Sequence, residues 1–292
     1  MIDGILVINK EKNYTSRDVV NIISKKFHTK KVGHTGTLDP LATGALVLCL
    51  GNHLKISELL TAEQKEYIAT LILGIETDTL DITGNILQED TNKNYSQEQI
   101  ETVLKSFLGT YSQEVPKYSA VKVNGRKLYE YARKNIDIDL PKREVTIYNI
   151  ELLNSPHLVN NHLEFTIKCQ VSKGTYIRSL IRDIGKKLGT VATMKELQRT
   201  KQGTITLDKS YTLEDIDKDN YKLLNMKDVL ALPTISISKE LEPKIKNGCI
   251  LPKFFTEDKV IIQNKDNTLL GIYQTHPQDP TKCKPWKIFS NF

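Results

Sequence analysis

Residues 33–44 (GHTGTLDPLATG) constrain this chain more than any other stretch. Three glycines, a proline, a histidine and one carboxylate, Asp39, fall in a run with neither helical nor strand periodicity. Residues 45–50 (ALVLCL) follow at once as an unbroken apolar run, which reads as a buried strand. The pattern predicts a tightly folded loop that holds one acid at the end of that strand. A surface turn also uses Gly, Pro and Asp, but it rarely needs so many special residues in succession. A loop that carries chemistry on a rigid scaffold is the better reading.

The flanking sequence supplies the scaffold. Residues 4–9 read as an opening strand. Thr15 or Ser16 can then cap a helix whose apolar positions are Val19, Val20, Ile22, Ile23 and Phe27. After the loop come the 45–50 strand, a short helix near 53–60 and a strand through Tyr67 to Leu73. Ser96 and Gln99 form a capping-box signal ahead of Ile100, Val103, Leu104, Phe107 and Leu108 at helical spacing. Two β-rich stretches, 144–153 and 162–171, lead through a Ser172-Lys173-Gly174 turn to a helix. Ile177, Leu180, Ile181, Ile184 and Leu188 share one face of that helix, and Gly189 is placed to end it. Strands outnumber helices without regular alternation, so the expected fold class is α+β with a large mixed or antiparallel sheet.

The 292 residues allow one large domain and a small one. The pattern shifts near Leu232-Pro233, giving boundaries of 1–230 and 231–292. The later part holds short strands between Asn, Asp and Gly turns, as in a small β-barrel-like module or a plain stabilising extension. The net charge of +6 decides little, but its distribution is informative. Residues 117–143 carry eight basic side chains against three acids, interleaved with Tyr118, Tyr129 and Tyr131. Cations with aromatic rings suit RNA, whose phosphates need charge and whose bases stack; a solvated loop is the alternative. Cys49, Cys169, Cys249 and Cys283 are widely separated, so no disulfide framework or zinc site is indicated. No apolar run approaches the roughly 18 residues of a membrane span, and a cytoplasmic protein is expected.

The 33–44 loop resembles the signature loop of the bacterial tRNA pseudouridine-55 synthases, the TruB family. Further segments resemble that family in order: Asn9-Lys10, Thr15-Ser16, Lys65–Ala69, Glu76–Asp81, Tyr118–Lys122 and Ser172–Leu180. The resemblance implies the pseudouridine synthase fold with a catalytic cleft crossing the sheet. It also implies an RNA-gripping insertion at 112–143 and a C-terminal RNA-binding domain related to the PUA fold. The implied activity is isomerisation of uridine 55 in the T-loop of tRNA, without cofactor, metal, membrane or guide RNA, by a monomer.

The resemblance further implies roles for single residues. Asp39 would be the catalytic carboxylate, attacking as a nucleophile or removing a sugar proton. Arg178 would pair with Asp39; without the resemblance, Arg182 one turn on is an equal candidate. Tyr67 would stack on the flipped base and serve proton transfer at C5. Tyr176 and Leu197 would line the base pocket, His34 would fill the space the flipped base vacates, and Lys10 and Asp78 would support the pocket. The chain departs from the family pattern at Glu11 and Asn13, which replace a proline and a glycine, and at Gln198, which replaces an arginine. A less rigid turn after the first strand is expected from the first two. Three other classes stay in view: a tRNA-fold chaperone, a guide-dependent catalytic subunit, and a glycoside hydrolase, which would want a second acid opposite Asp39.

Overall fold

A computed structural model of the chain describes residues 2–90 and 95–289. Its spine is seven strands: β1 (Gly4–Lys10), β2 (Thr43–Leu50), β3 (Lys65–Leu73), β4 (Gly109–Glu114), β5 (Lys142–Leu152), β6 (His162–Val171) and β7 (Ala192–Gln202). They lie in the order β1-β2-β7-β3-β6-β5-β4. Every neighbouring pair is antiparallel except β2 and β7, which run parallel where Thr43 and Gly44 meet Gln198 and Arg199. This is the large mixed sheet of an α+β fold. Three short outlying strands (Val32–His34, His157–Val159 and Ile205–Thr206) extend it.

The unbroken apolar run of β2 follows from burial on both faces. Leu46, Leu48 and Leu50 face a cluster with Val19, Val20 and Ile23 of helix α1 (Ser16–Lys26) and with Leu180, Ile181 and Ile184 of a later helix. Ala45, Val47 and Cys49 face the other way. Burial pushes the Cys49 and Cys169 thiols up to about 12, so both stay protonated and inert.

Helix α2 (Gln97–Lys105) starts with the Ser96–Gln99 capping box, and α1 with a Thr15–Asp18 box. Thr15 is therefore the cap, which frees the Ser16 hydroxyl for another contact. Helix α3 (Ile177–Lys187) ends at Gly189, whose φ of +79° is left-handed backbone that favours glycine. Burying each aliphatic side chain of α3 contributes about 1.5–3 kcal/mol. The expected helix near 53–60 is split: a 3-10 turn over Gly51–Ile56 leads into a short α-helix, Ser57–Ala62.

Beyond Pro233 a second sheet forms from β8 (Thr234–Ser236), β9 (Leu251–Pro252), β10 (Lys259–Gln263), β11 (Leu269–His276) and β12 (Asp279–Ile288), in the order β8-β10-β11-β12-β9. It has its own core around Val260, Ile262, Leu270 and Tyr273. The opposite face, with Ile261 and Ile272, joins Phe289 in packing against Ile5, Val7, Ala45 and Val47 of β1 and β2. The second sheet thus covers the back of the first. Between β4 and β5 the chain detours through residues 115–141, which hold a two-stranded hairpin (Lys122–Val123 with Arg126–Lys127) and a short helix, Leu128–Ala132. Among the described residues no helix is long and apolar enough to cross a membrane.

The parallel seam imposes one strict requirement. Gly44 has φ +99°, and a Cβ there would lie 2.3 Å from the Arg199 carbonyl oxygen. Gly44→Ala should therefore lower the unfolding free energy by about 3 kcal/mol or more, measured from urea midpoints.

Candidate active site

The 33–44 loop is shaped by bonds from three neighbouring segments and by a turn of its own. The freed Ser16 hydroxyl donates to the Leu38 carbonyl at 3.1 Å and accepts from the Leu38 N–H at 2.8 Å. Ala42 N–H donates to the Asp39 carbonyl at 3.0 Å, closing a turn with Pro40 at its second position. Lys10, fully buried behind the loop, donates to the carbonyls of Glu11 and Tyr14 at 2.8 Å and of Pro40 at 3.4 Å. Arg199, also buried, donates from Nε to Ala45 O at 2.7 Å and from Nη2 to Gly36 O at 3.1 Å.

The turn after β1 is firmer than its sequence suggests. Asn13 has φ +72°, a left-handed conformation that asparagine tolerates, and its N–H donates to Pro40 O at 2.9 Å. The substitution keeps the geometry that glycine would give.

These bonds present the Asp39 carboxylate, 36% exposed, to Arg178, whose side chain is 5% exposed. Arg178 Nε lies 2.9 Å from Asp39 Oδ2. Its Nη1 donates to Thr79 O at 2.9 Å, and its Nη2 to Tyr118 O at 3.0 Å. Asp81 Oδ2 stands 3.9 Å from Nη1. Arg182 points elsewhere, to Glu114 at 2.8 Å and Asp183 at 2.9 Å. Of the two arginines that spacing left open, only Arg178 meets Asp39.

Asp39 and Arg178 open onto a cleft of about 980 Å³ that Tyr67, Tyr176, Leu197 and His34 also line. Tyr67 lies on β3 directly across from Arg199 on β7, and Leu197 two residues before it lies across from Ala69. Burial, then the nearby Arg17 and Arg199 charges, lowers the His34 pKa, so the ring is neutral at pH 7. Arg17, Lys127, Arg143 and Lys173 also line the cleft. They suit a polyanionic ligand. Within the insertion, Lys127 and Arg133 both lie against the Tyr129 ring.

The two residues expected to support the pocket stand outside the cleft lining. Asp78 does not line this cleft; it accepts from Asn85 N–H at 2.9 Å and Nδ2 at 3.3 Å and borders a neighbouring cavity. Lys10 does not line it either, and acts behind the loop. Sequence reasoning missed Asp81 and Arg199. Asp81, in a Thr-Leu-Asp-Ile-Thr turn, is fixed by Thr79 Oγ1 at 2.9 Å and Thr83 N–H at 3.0 Å, and resembles any turn aspartate until Arg178 arrives from α3. The one available signal for Arg199 was a charge inside a strand that the fold buries.

Residues 24–177 match the TruB family pseudouridylate synthase N-terminal domain, and residues 178–232 match the tRNA pseudouridylate synthase B C-terminal domain. The chain belongs to the TruB family. A relative from Bacillus pumilus, named tRNA pseudouridine synthase B, is 41% identical over 99% of this chain and 98% of its own length. One of the same name from Clostridium tetani is 43% identical over 94% of this chain and 92% of its own. Among solved structures, an H/ACA ribonucleoprotein bound to a substrate RNA containing 2′-deoxyuridine matches 99% of this chain and 85% of its own, with TM-score 0.72 and 23% identity. That likeness supports the pseudouridine synthase fold of the family.

Two predictions come from the site's charges. Arg178→Ala strands Asp39 and frees two carbonyls, and should cost about 2–3 kcal/mol of stability, since Asp39 retains partial solvation. Thermal and urea unfolding would measure it. Burial, opposed by Asp39 and reinforced by Arg199, lowers the Lys10 pKa from 10.5 to about 8. Below pH 8 both folded and unfolded chains hold this proton, and the cost of burying the charge is present in full. Between pH 8 and 10.5 the unfolded chain binds more protons, so that cost is relieved as pH rises. Lys10→Met should therefore compare worse with the native chain at pH 9.5 than at pH 7.5 in urea midpoints.

Proposed function

We propose that this chain converts uridine 55 in the T-loop of tRNA to pseudouridine, with Asp39 as the catalytic carboxylate. The observation that carries the reading is the Asp39–Arg178 pair at 2.9 Å, set in a cleft that Tyr67, Tyr176 and Leu197 also line. The reaction breaks the N1–C1′ bond, turns the uracil and forms a C5–C1′ bond; C5 gives up a proton and N1 gains one, with no redox change. Asp39 either attacks the sugar or takes a proton from it, with the permanent charge of Arg178 against its carboxylate. Tyr67 and Tyr176 hold the uracil, with Tyr67 placed to handle the C5 proton, while Leu197 packs against the base. Neutral His34 fills the gap left by the extruded nucleotide, which offsets a flipping cost of a few kcal/mol.

The cationic lining residues and the 112–143 insertion grip the phosphates, and the second sheet extends the RNA contact. In this reading residues 1–230 form the catalytic domain and 231–292 a PUA-like RNA-binding domain. Lys10 supports the pocket through the loop, and Asp78 only through its turn. In this reading the chain also acts as a monomer and without a guide RNA.

The test uses a tRNA transcript tritiated at uracil C5. The native chain should release tritium from the T-loop uridine, and Asp39→Asn should slow release by ~10³-fold or more while binding tRNA within about threefold of native. Tight binding by the native chain with no release would overturn the reading in favour of a chaperone or a guide-dependent subunit.

A further inference from the structure

Tyr176 is the N-cap of helix α3; its backbone is extended (φ −97°, ψ 114°) and its own side chain makes no capping bond. Its carbonyl takes the Leu180 N–H at 3.0 Å, as the first bond of the helix, but its N–H has to find an acceptor outside the helix. Gln113, 1% exposed on the edge strand β4, provides that acceptor and a second donor for the carbonyl. Its Oε1 accepts from the Tyr176 N–H at 2.8 Å, and its Nε2 donates to the Tyr176 carbonyl at 3.1 Å. One side-chain amide thus pairs with both sides of a single residue, as a neighbouring strand would. Nε2 also donates to the Tyr111 hydroxyl at 2.7 Å. Burial, then the Asp183 carboxylate on α3, raises the Tyr111 pKa, so that group stays a hydroxyl. The amide orientation is settled by Tyr176, because a backbone N–H can only donate.

Two further hydrogen bonds between β4 and α3, both to Glu114, lie further along the helix, at Ser179 and Arg182. Gln113 instead reaches Tyr176, which lines the cleft two positions before Arg178. A leucine would fill the same buried volume, so packing alone does not call for an amide. From these contacts we infer that Gln113 is a positioning residue: it fixes the Tyr176 ring over the reacting base while touching neither substrate nor Asp39. This rests on the pseudouridine synthase reading above.

The experiment measures kcat and KM for tritium release from tRNA. Gln113→Leu should lower kcat ~20-fold or more, because small misplacements of a positioning group are costly, with KM changed less than about threefold. In a Tyr176→Ala background the same substitution should cost less than about twofold further, since its target is gone. Gln113→Glu keeps the acceptor for the Tyr176 N–H but turns a second acceptor toward the Tyr176 carbonyl. Its kcat, as a ratio to native, should recover between pH 8 and pH 5.5, as the carboxyl regains a proton to donate. A native kcat in Gln113→Leu, or an undiminished loss in the Tyr176→Ala background, would overturn the inference. If Gln113→Leu does not fold, the Gln113→Glu pH profile decides: a flat ratio sinks the idea. Absence of release by the native chain would instead remove the functional reading itself.

Discussion

A guanidinium that is always charged and almost wholly buried has to be met on every side, and Arg178 organises the site through that demand. Moving such an ion out of water costs several kcal/mol, which attraction to one partly exposed carboxylate offsets only in part. Two backbone carbonyls and a second carboxylate at 3.9 Å complete its surroundings. Those partners come from three separate segments: the signature loop, the turn at residues 77–84 and the start of the insertion. None of the three can move far without stranding the charge. The apolar face of α3, packed under the sheet, prevents the arginine from following them.

The same logic extends outward to the loop that carries Asp39. Loops are poor at holding a side chain still, yet this one is tied by Ser16 from α1, Lys10 from β1 and Arg199 from β7. Each tie uses a buried polar group on regular structure to satisfy a loop carbonyl. The parallel step between β2 and β7 makes this possible, because it brings Arg199 to the base of the loop, and it tolerates no Cβ at Gly44. A precise loop therefore depends on a rigid sheet. The insertion emerges between two neighbouring strands beside this cleft, so its basic and aromatic groups are delivered where a polyanion would enter.

Much of this was readable in the chain. Strand and helix positions agree closely with hydrophobic period, as in α3 and β6, and the caps at Thr15, Ser96 and Gly189 lie where local chemistry put them. The loop's special character and the importance of Asp39 stood out because glycine, proline and a lone acid are short-range signals. The helix expected near 53–60 is a 3-10 turn followed by a short α-helix, a distinction that composition does not reveal. Asn13 in place of glycine predicts a loss of rigidity, whereas asparagine adopts the left-handed backbone of the turn.

The sequence alone thus determined the elements, the fold class and the one carboxylate around which a family resemblance gathers, because periodicity and capping act over a few residues. Tertiary structure decided which of two arginines faces Asp39, that Asp81 rather than Asp78 stands beside Arg178, and that Lys10, Arg199 and Gln113 work from behind. Those choices depend on the rotation of a helix about its axis and on the register of strands far apart in the chain. Neither leaves a local trace. A buried polar residue shows its purpose only when the group it satisfies is brought to it.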